Sequence, residues 1–140
     1  MKTIKFFKAG YNVDIEFHDK RVVLSGDSGS GKTFLYDLLL KSQNPDLCMI
    51  NYQTVKNPAA ETMLIDYIQK SKDKIIVIDQ ADDVLRKCKQ LTDVIELDLD
   101  NYYLFIGRSS IIPCFEKYIT TVKIRDNTIS LDYYVESLFL

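Results

Sequence analysis

The chain is poor in the residues that build metal centres. It has one histidine and three cysteines among 140 residues. Cys48, Cys88 and Cys114 stand far apart and share no metal-ligand spacing, which excludes a cysteine-built metal site. His18 lies in a polar turn, His18-Asp19-Lys20, and reads as a solvated loop histidine rather than a catalytic base. No stretch approaches membrane-spanning length, so a membrane partner is not expected. No signal-peptide pattern follows Met1-Lys2-Thr3-Ile4-Lys5, and an odd cysteine count fits a reducing, cytoplasmic location. Neither sign of charge dominates. Eighteen Lys and Arg against 20 Asp and Glu give a formal net charge of −2, which argues against bulk attraction to nucleic acid. Repeats, low-complexity segments and linkers are missing. What remains is 46% hydrophobic and 27% charged, the composition of an ordinary globule, at a length that suits one domain over residues 1–140.

One stretch organises this chain. Gly26-Asp27-Ser28-Gly29-Ser30-Gly31-Lys32-Thr33 has the form G-x-x-x-x-G-K-T, a phosphate-binding loop. Arg21 to Leu24 before it reads as a short buried strand, and Phe34 to Leu40 after it as the body of a helix. Strand, glycine-rich turn and helix form the context that gives the pattern meaning. Gly26, Gly29 and Gly31 permit backbone angles closed to other residues, so successive amides can turn inward on an anion. The helix start adds free N–H groups and the positive end of its dipole. The competing reading is a Gly/Ser-rich surface turn ahead of an unrelated helix.

The rest of the chain alternates strand and helix. Thr3 to Lys8 and Tyr11 to Phe17 read as strands, the second with Val13, Ile15 and Phe17 on one face. With the strand at Arg21 they suggest an antiparallel meander leading into the loop. The first helix runs from Lys32 to about Ser42 and is stopped by Asn44-Pro45-Asp46. Leu47 to Tyr52 reads as a strand. Asn57-Pro58 opens a helix whose apolar stripe is Met63, Leu64, Tyr67 and Ile68. Ile75 to Ile78 is too short for a helix and apolar throughout, as in a parallel strand covered on both faces. It ends in Asp79-Gln80-Ala81-Asp82-Asp83. One helix is expected next, carrying Ala81, Val84, Leu85, Cys88 and Leu91. Tyr102 to Ile106 is a further strand ending at Gly107-Arg108-Ser109-Ser110. Thr121 to Arg125 and Thr128 to Tyr133 flank a hairpin turn at Asp126-Asn127. For Tyr134 to Leu140, strand and helix both stay open. The expected class is α/β, with a mainly parallel central sheet and antiparallel hairpins at both ends. Ligands of such sheets bind beyond the carboxyl ends of the strands, where Gly26, Asp79 and Arg108 all fall.

On these residues the chain resembles the P-loop nucleoside triphosphatases. The loop and Ile75-Ile76-Val77-Ile78-Asp79, similar to a Walker B segment, resemble the division that holds the AAA-type and ABC-type ATPases, in which an extra strand separates the two motif strands. The resemblance covers roughly residues 21–108 and implies a three-layer P-loop fold. It implies that Gly26 to Thr33 cradle ATP or another nucleoside triphosphate, that Lys32 meets the outer phosphates, and that Thr33 and Asp79 hold Mg2+. It implies for Arg108 a sensor of the γ-phosphate. The alternatives are that Asp79 only caps the following helix and that Arg108 pairs with a surface carboxylate. The chain departs from the pattern at Gln80, where hydrolysing members carry a water-polarising Glu. An amide can orient a water but cannot take its proton. Asp82 and Asp83 are carboxylates nearby on the next helix turn. One reading has them only serve its dipole, and the other has a group such as Asp82 handle the hydrolytic water in place of Gln80. Tyr11 or a residue of the terminal hairpin is a candidate to stack on the base.

Three functions stay open. One is an ATP-binding protein with slow Mg2+-dependent hydrolysis or a nucleotide-gated switch, completed by a protein partner or by self-association. A small-molecule or nucleoside kinase is the second. It would need an arginine-bearing lid, and Arg21, Arg86, Arg108 and Arg125 are scattered. The third is an interaction module that uses nucleotide only to hold its fold.

Overall fold

The computed structural model describes residues 2–26, 29, 31–107 and 118–133. Its strands are β1 (Lys2–Lys8), β2 (Tyr11–Phe17), β3 (Arg21–Leu24), β4 (Leu47–Ile50), β5 (Ile75–Ile78), β6 (Tyr102–Ile106), β7 (Tyr118–Arg125) and β8 (Thr128–Tyr133). The helices are α1 (Lys32–Lys41), α2 (Pro58–Lys70), α3 (Ala81–Lys87) and α4 (Lys89–Leu97). All eight strands join one sheet in the order β1-β2-β8-β7-β3-β6-β5-β4. From β7 to β4 every neighbouring pair is parallel. The antiparallel pairs are the terminal hairpins, β1 with β2 and β7 with β8. β6 lies between β3 and β5, so the two motif strands are separated by one strand, as expected.

Alternating side chains divide the sheet's two faces. Val23, Ile76, Ile78, Tyr103 and Phe105 bury against α2, α3 and α4. Val22, Leu24, Ile75, Val77, Leu104 and Ile106 bury with Leu35, Leu38 and Leu39 of α1 and with Ile4, Val13, Ile15 and Phe17 of the first hairpin. Helices on both faces make three layers, and this double burial explains why the central strands are unbroken apolar runs. No helix among the described residues is long and apolar enough to cross a membrane.

Four local expectations need correction. β2 does not pair with β3 in a meander. Both edges of β3 are taken, by β6 and β7, and β2 instead runs parallel to β8 with Asn12 opposite Thr128. The helix after Asp79 is two helices, broken at Cys88 (φ −103°, ψ +80°). Thr92 bridges the break, its hydroxyl donating to the carbonyls of Leu85 (2.7 Å) and Cys88 (2.9 Å). On α2 the packed stripe is Leu64, Ile65 and Ile68, whereas Met63 is 73% exposed and Tyr67 37%. β4 ends at Ile50, because the Asn51 carboxamide accepts from the N–H groups of Gln53 and Thr54 and turns the chain. The readings for Arg108 to Ser110 and Tyr134 to Leu140 lie outside the described residues.

Candidate nucleotide site

The carboxyl ends of β3, β6 and β5 stand side by side, and the candidate residues gather above them. At β3 the chain is gripped from both sides. The Ser25 N–H donates to the Thr120 carbonyl of β7 (2.8 Å), and the Gly107 N–H just past β6 donates to the Leu24 carbonyl (3.1 Å). The loop then takes the backbone its glycines allow, with φ of +134° at Gly26, +85° at Gly29 and +97° at Gly31. Gly31 opens α1, and its carbonyl accepts the Leu35 N–H at 2.9 Å. A Cβ there would come 3.2 Å from Cγ1 of Val122, so crowding and backbone angle both favour glycine. No acidic residue occupies the first turn of α1, which leaves its positive end free for an anion.

Lys32 is half-buried and lies over this loop, its ammonium donating to the Gly26 carbonyl at 2.5 Å. Thr33 follows on the exposed side of α1. Across β6, Asp79 is half-buried at the end of β5. Its N–H donates to the Ile50 carbonyl (2.8 Å) and its Oδ1 accepts the Gln80 N–H (3.0 Å). Burial raises the Asp79 pKa above the usual carboxylate value. The Gln80 N–H and the Lys32 charge act the other way, and the Asp37 carboxylate adds to the rise. Lys32 and Asp79, read from two separate motifs, thus share one electrostatic environment.

Gln80 is exposed and left-handed, φ +51° and ψ +45°, a conformation that non-glycine residues seldom adopt outside turns and functional sites. Asp83 is exposed and paired with Arg86 at 2.9 Å. Asp82 is half-buried, and its Oδ1 stands 2.7 Å from the point where a Cβ on Gly107 would lie. Two participants were not evident from sequence. Tyr36, buried on α1, accepts the Asn51 side-chain N–H at 3.3 Å. Its pKa is raised mainly by burial, with the Asp79 and Asp37 charges adding to the rise and the Asn51 bond opposing it. Asn51 follows β4 and so obeys the strand-end rule already applied to Gly26 and Asp79. Tyr11 meets the Phe34 ring edge-on, centroids 5.1 Å apart, beside the start of α1. Asp27, Ser28, Ser30 and Arg108 lie outside the described residues.

The oxygen donors available, the Thr33 hydroxyl and the Asp79 carboxylate, suit a hard cation such as Mg2+. Among the described residues no group of three or more His, Cys, Asp or Glu gathers to hold a metal alone. An ion here would complete its shell with water and phosphate oxygens, the usual habit of Mg2+. Residues 22–102, just over half of the chain, match the sequence profile of the AAA family, described as the ATPase family associated with various cellular activities. No curated protein and no solved structure gives a match.

Proposed function

The chain belongs to the AAA family of ATPases, and from that premise we propose that it binds ATP with Mg2+ at the Gly26–Thr33 loop and either hydrolyses it slowly or serves as a nucleotide-gated switch. The observation that carries this reading is the placement of Lys32, over the loop that follows β3, and Asp79, at the end of β5, on the same carboxyl edge of the sheet with only β6 between them, where the Lys32 charge acts on Asp79. In this reading the loop amides of Gly26 to Gly31 receive the phosphates, and the Lys32 ammonium exchanges the Gly26 carbonyl for an outer phosphate oxygen. Thr33 and Asp79 would hold the magnesium, which when bound neutralises phosphate charge. Burial favours that role for Asp79. A carboxylate withdrawn from water and satisfied by one backbone N–H retains lone pairs for a cation and gains by meeting one.

Hydrolysis is slow in this proposal because Gln80 offers an amide where a proton acceptor is usual. Gln80 orients rather than activates water, and Arg108, the next residue after Gly107, reports on the γ-phosphate. The domain, taken as the whole of residues 1–140, acts in the cytoplasm with a protein partner or a second copy. The free thiols of Cys48 and Cys88 fit that compartment. Equilibrium binding of labelled ATP with and without Mg2+, measured beside phosphate release, tests the proposal. Saturable Mg2+-dependent binding with slow release is expected, and a folded protein that binds no ATP would overturn it.

A further inference from the structure

Of the polar side chains that follow β5, all but one are accounted for. Asp79 faces Lys32. Gln80 is exposed on a left-handed backbone, and its carboxamide cannot accept a proton at neutral pH. Asp83 is engaged by Arg86. Asp82 remains. It is half-buried, yet no hydrogen bond or ion pair among the described residues engages its carboxylate. It occupies the space that a side chain on Gly107, the first residue past β6, would fill. Gly107 is bonded in turn to Leu24, the last residue of the P-loop strand. Because β6 separates β3 from β5, the Asp82 carboxylate, beside Gly107, lies at the end of the strand between the two motif strands.

We propose that Asp82, and not the residue directly after Asp79, takes the proton of the water that attacks the terminal phosphate of a bound nucleoside triphosphate. This rests on the nucleotide-binding reading above. The water oxygen bonds to the γ-phosphorus as the bond from that phosphorus to the β–γ bridging oxygen breaks. The electron pair leaves with the nucleoside diphosphate, and inorganic phosphate is the second product. The water proton passes to the Asp82 carboxylate and from there to solvent. An unengaged carboxylate has the lone pairs for this, which the carboxamide of Gln80 lacks at neutral pH. Gly107 has a role of its own, since any Cβ there would displace the acceptor.

The test is single-turnover phosphate release with protein in excess over labelled ATP and Mg2+, measured beside ATP affinity, in the wild type, Asp82→Asn, Gly107→Ala and Asp83→Asn. Asp82→Asn should slow release by about 10²- to 10⁴-fold, the usual contribution of a general base, with ATP affinity held within about threefold. Gly107→Ala should also slow release without loss of affinity, and Asp83→Asn should match the wild type. Gly107→Ala carries the test should Asp82→Asn not fold. Release at the wild-type rate in folded, ATP-binding Asp82→Asn or Gly107→Ala protein overturns the proposal. So does a wild type that binds ATP and releases phosphate only at background, which leaves the binding reading intact. A wild type that binds no ATP removes both.

Discussion

Replacing Lys32 by alanine should remove most of the triphosphate affinity and little of the stability. The Lys32 ammonium makes one described bond, to the Gly26 carbonyl at 2.5 Å. Arrival of a nucleotide lets it exchange that neutral acceptor for a charged phosphate oxygen. Hydrogen bonds to charged groups contribute about 1.5–3 kcal/mol, so its loss should weaken ATP binding by about 10- to 150-fold. The fold should tolerate the change, because Lys32 is only half-buried. A destabilisation under about 1 kcal/mol corresponds to a fall in Tm of about 2–4 °C for a chain of this size. Titration calorimetry with ATP and Mg2+ gives the affinity, and a thermal melt of the same samples gives the fold. A Lys32→Ala protein that melts normally and binds ATP as the wild type does would refute the reasoning, because the loop would then not hold the phosphates.

Asp79→Asn should weaken ATP binding when Mg2+ is present and leave it nearly unchanged in EDTA; an equal loss under both conditions would make Asp79 structural. Asn57→Ala removes the acceptor of the Ala60 N–H (2.8 Å) that caps α2, and should lower unfolding free energy by about 1 kcal/mol in urea with ATP affinity unchanged. Burial pushes the Cys48 thiol up to about 11, so at pH 8 only about one molecule in a thousand is a thiolate. Peptide mapping after iodoacetamide should find Cys48 alkylated far more slowly in native than in urea-unfolded protein, and equal rates would contradict its burial.

The strands Tyr11–Phe17, Arg21–Leu24, Ile75–Ile78 and Tyr102–Ile106 were legible residue for residue, because alternation or short apolar runs reveal how many faces a strand buries. Asp126 and Asn127 were legible as a hairpin turn, and both adopt positive φ (+50° and +59°), as a tight two-residue loop of the mirror-image type requires. The break at Cys88 was not legible. Ala81, Val84, Leu85, Cys88 and Leu91 keep helical phase across it and are all buried, so periodicity reports their common face and not the interruption. The parallel contact of β2 with β8 was hidden for a different reason. It joins residues more than a hundred positions apart, and no local pattern names a strand's partner. At the site, the loop and Asp79 were readable from motif and strand end. The Asn51–Tyr36 bond and the seat of Asp82 against Gly107 depend on how neighbouring elements lean together, which follows from packing rather than spacing.

The central claim is that the Gly26–Thr33 loop and Asp79 form one Mg2+-dependent nucleotide site. Its most direct measurement is a calorimetric titration of the wild-type protein with ATP, run in Mg2+ and again in EDTA. Binding of a single nucleotide per chain that tightens in Mg2+ is the predicted result. Absence of saturable binding at millimolar ATP, or an affinity indifferent to Mg2+, would contradict it.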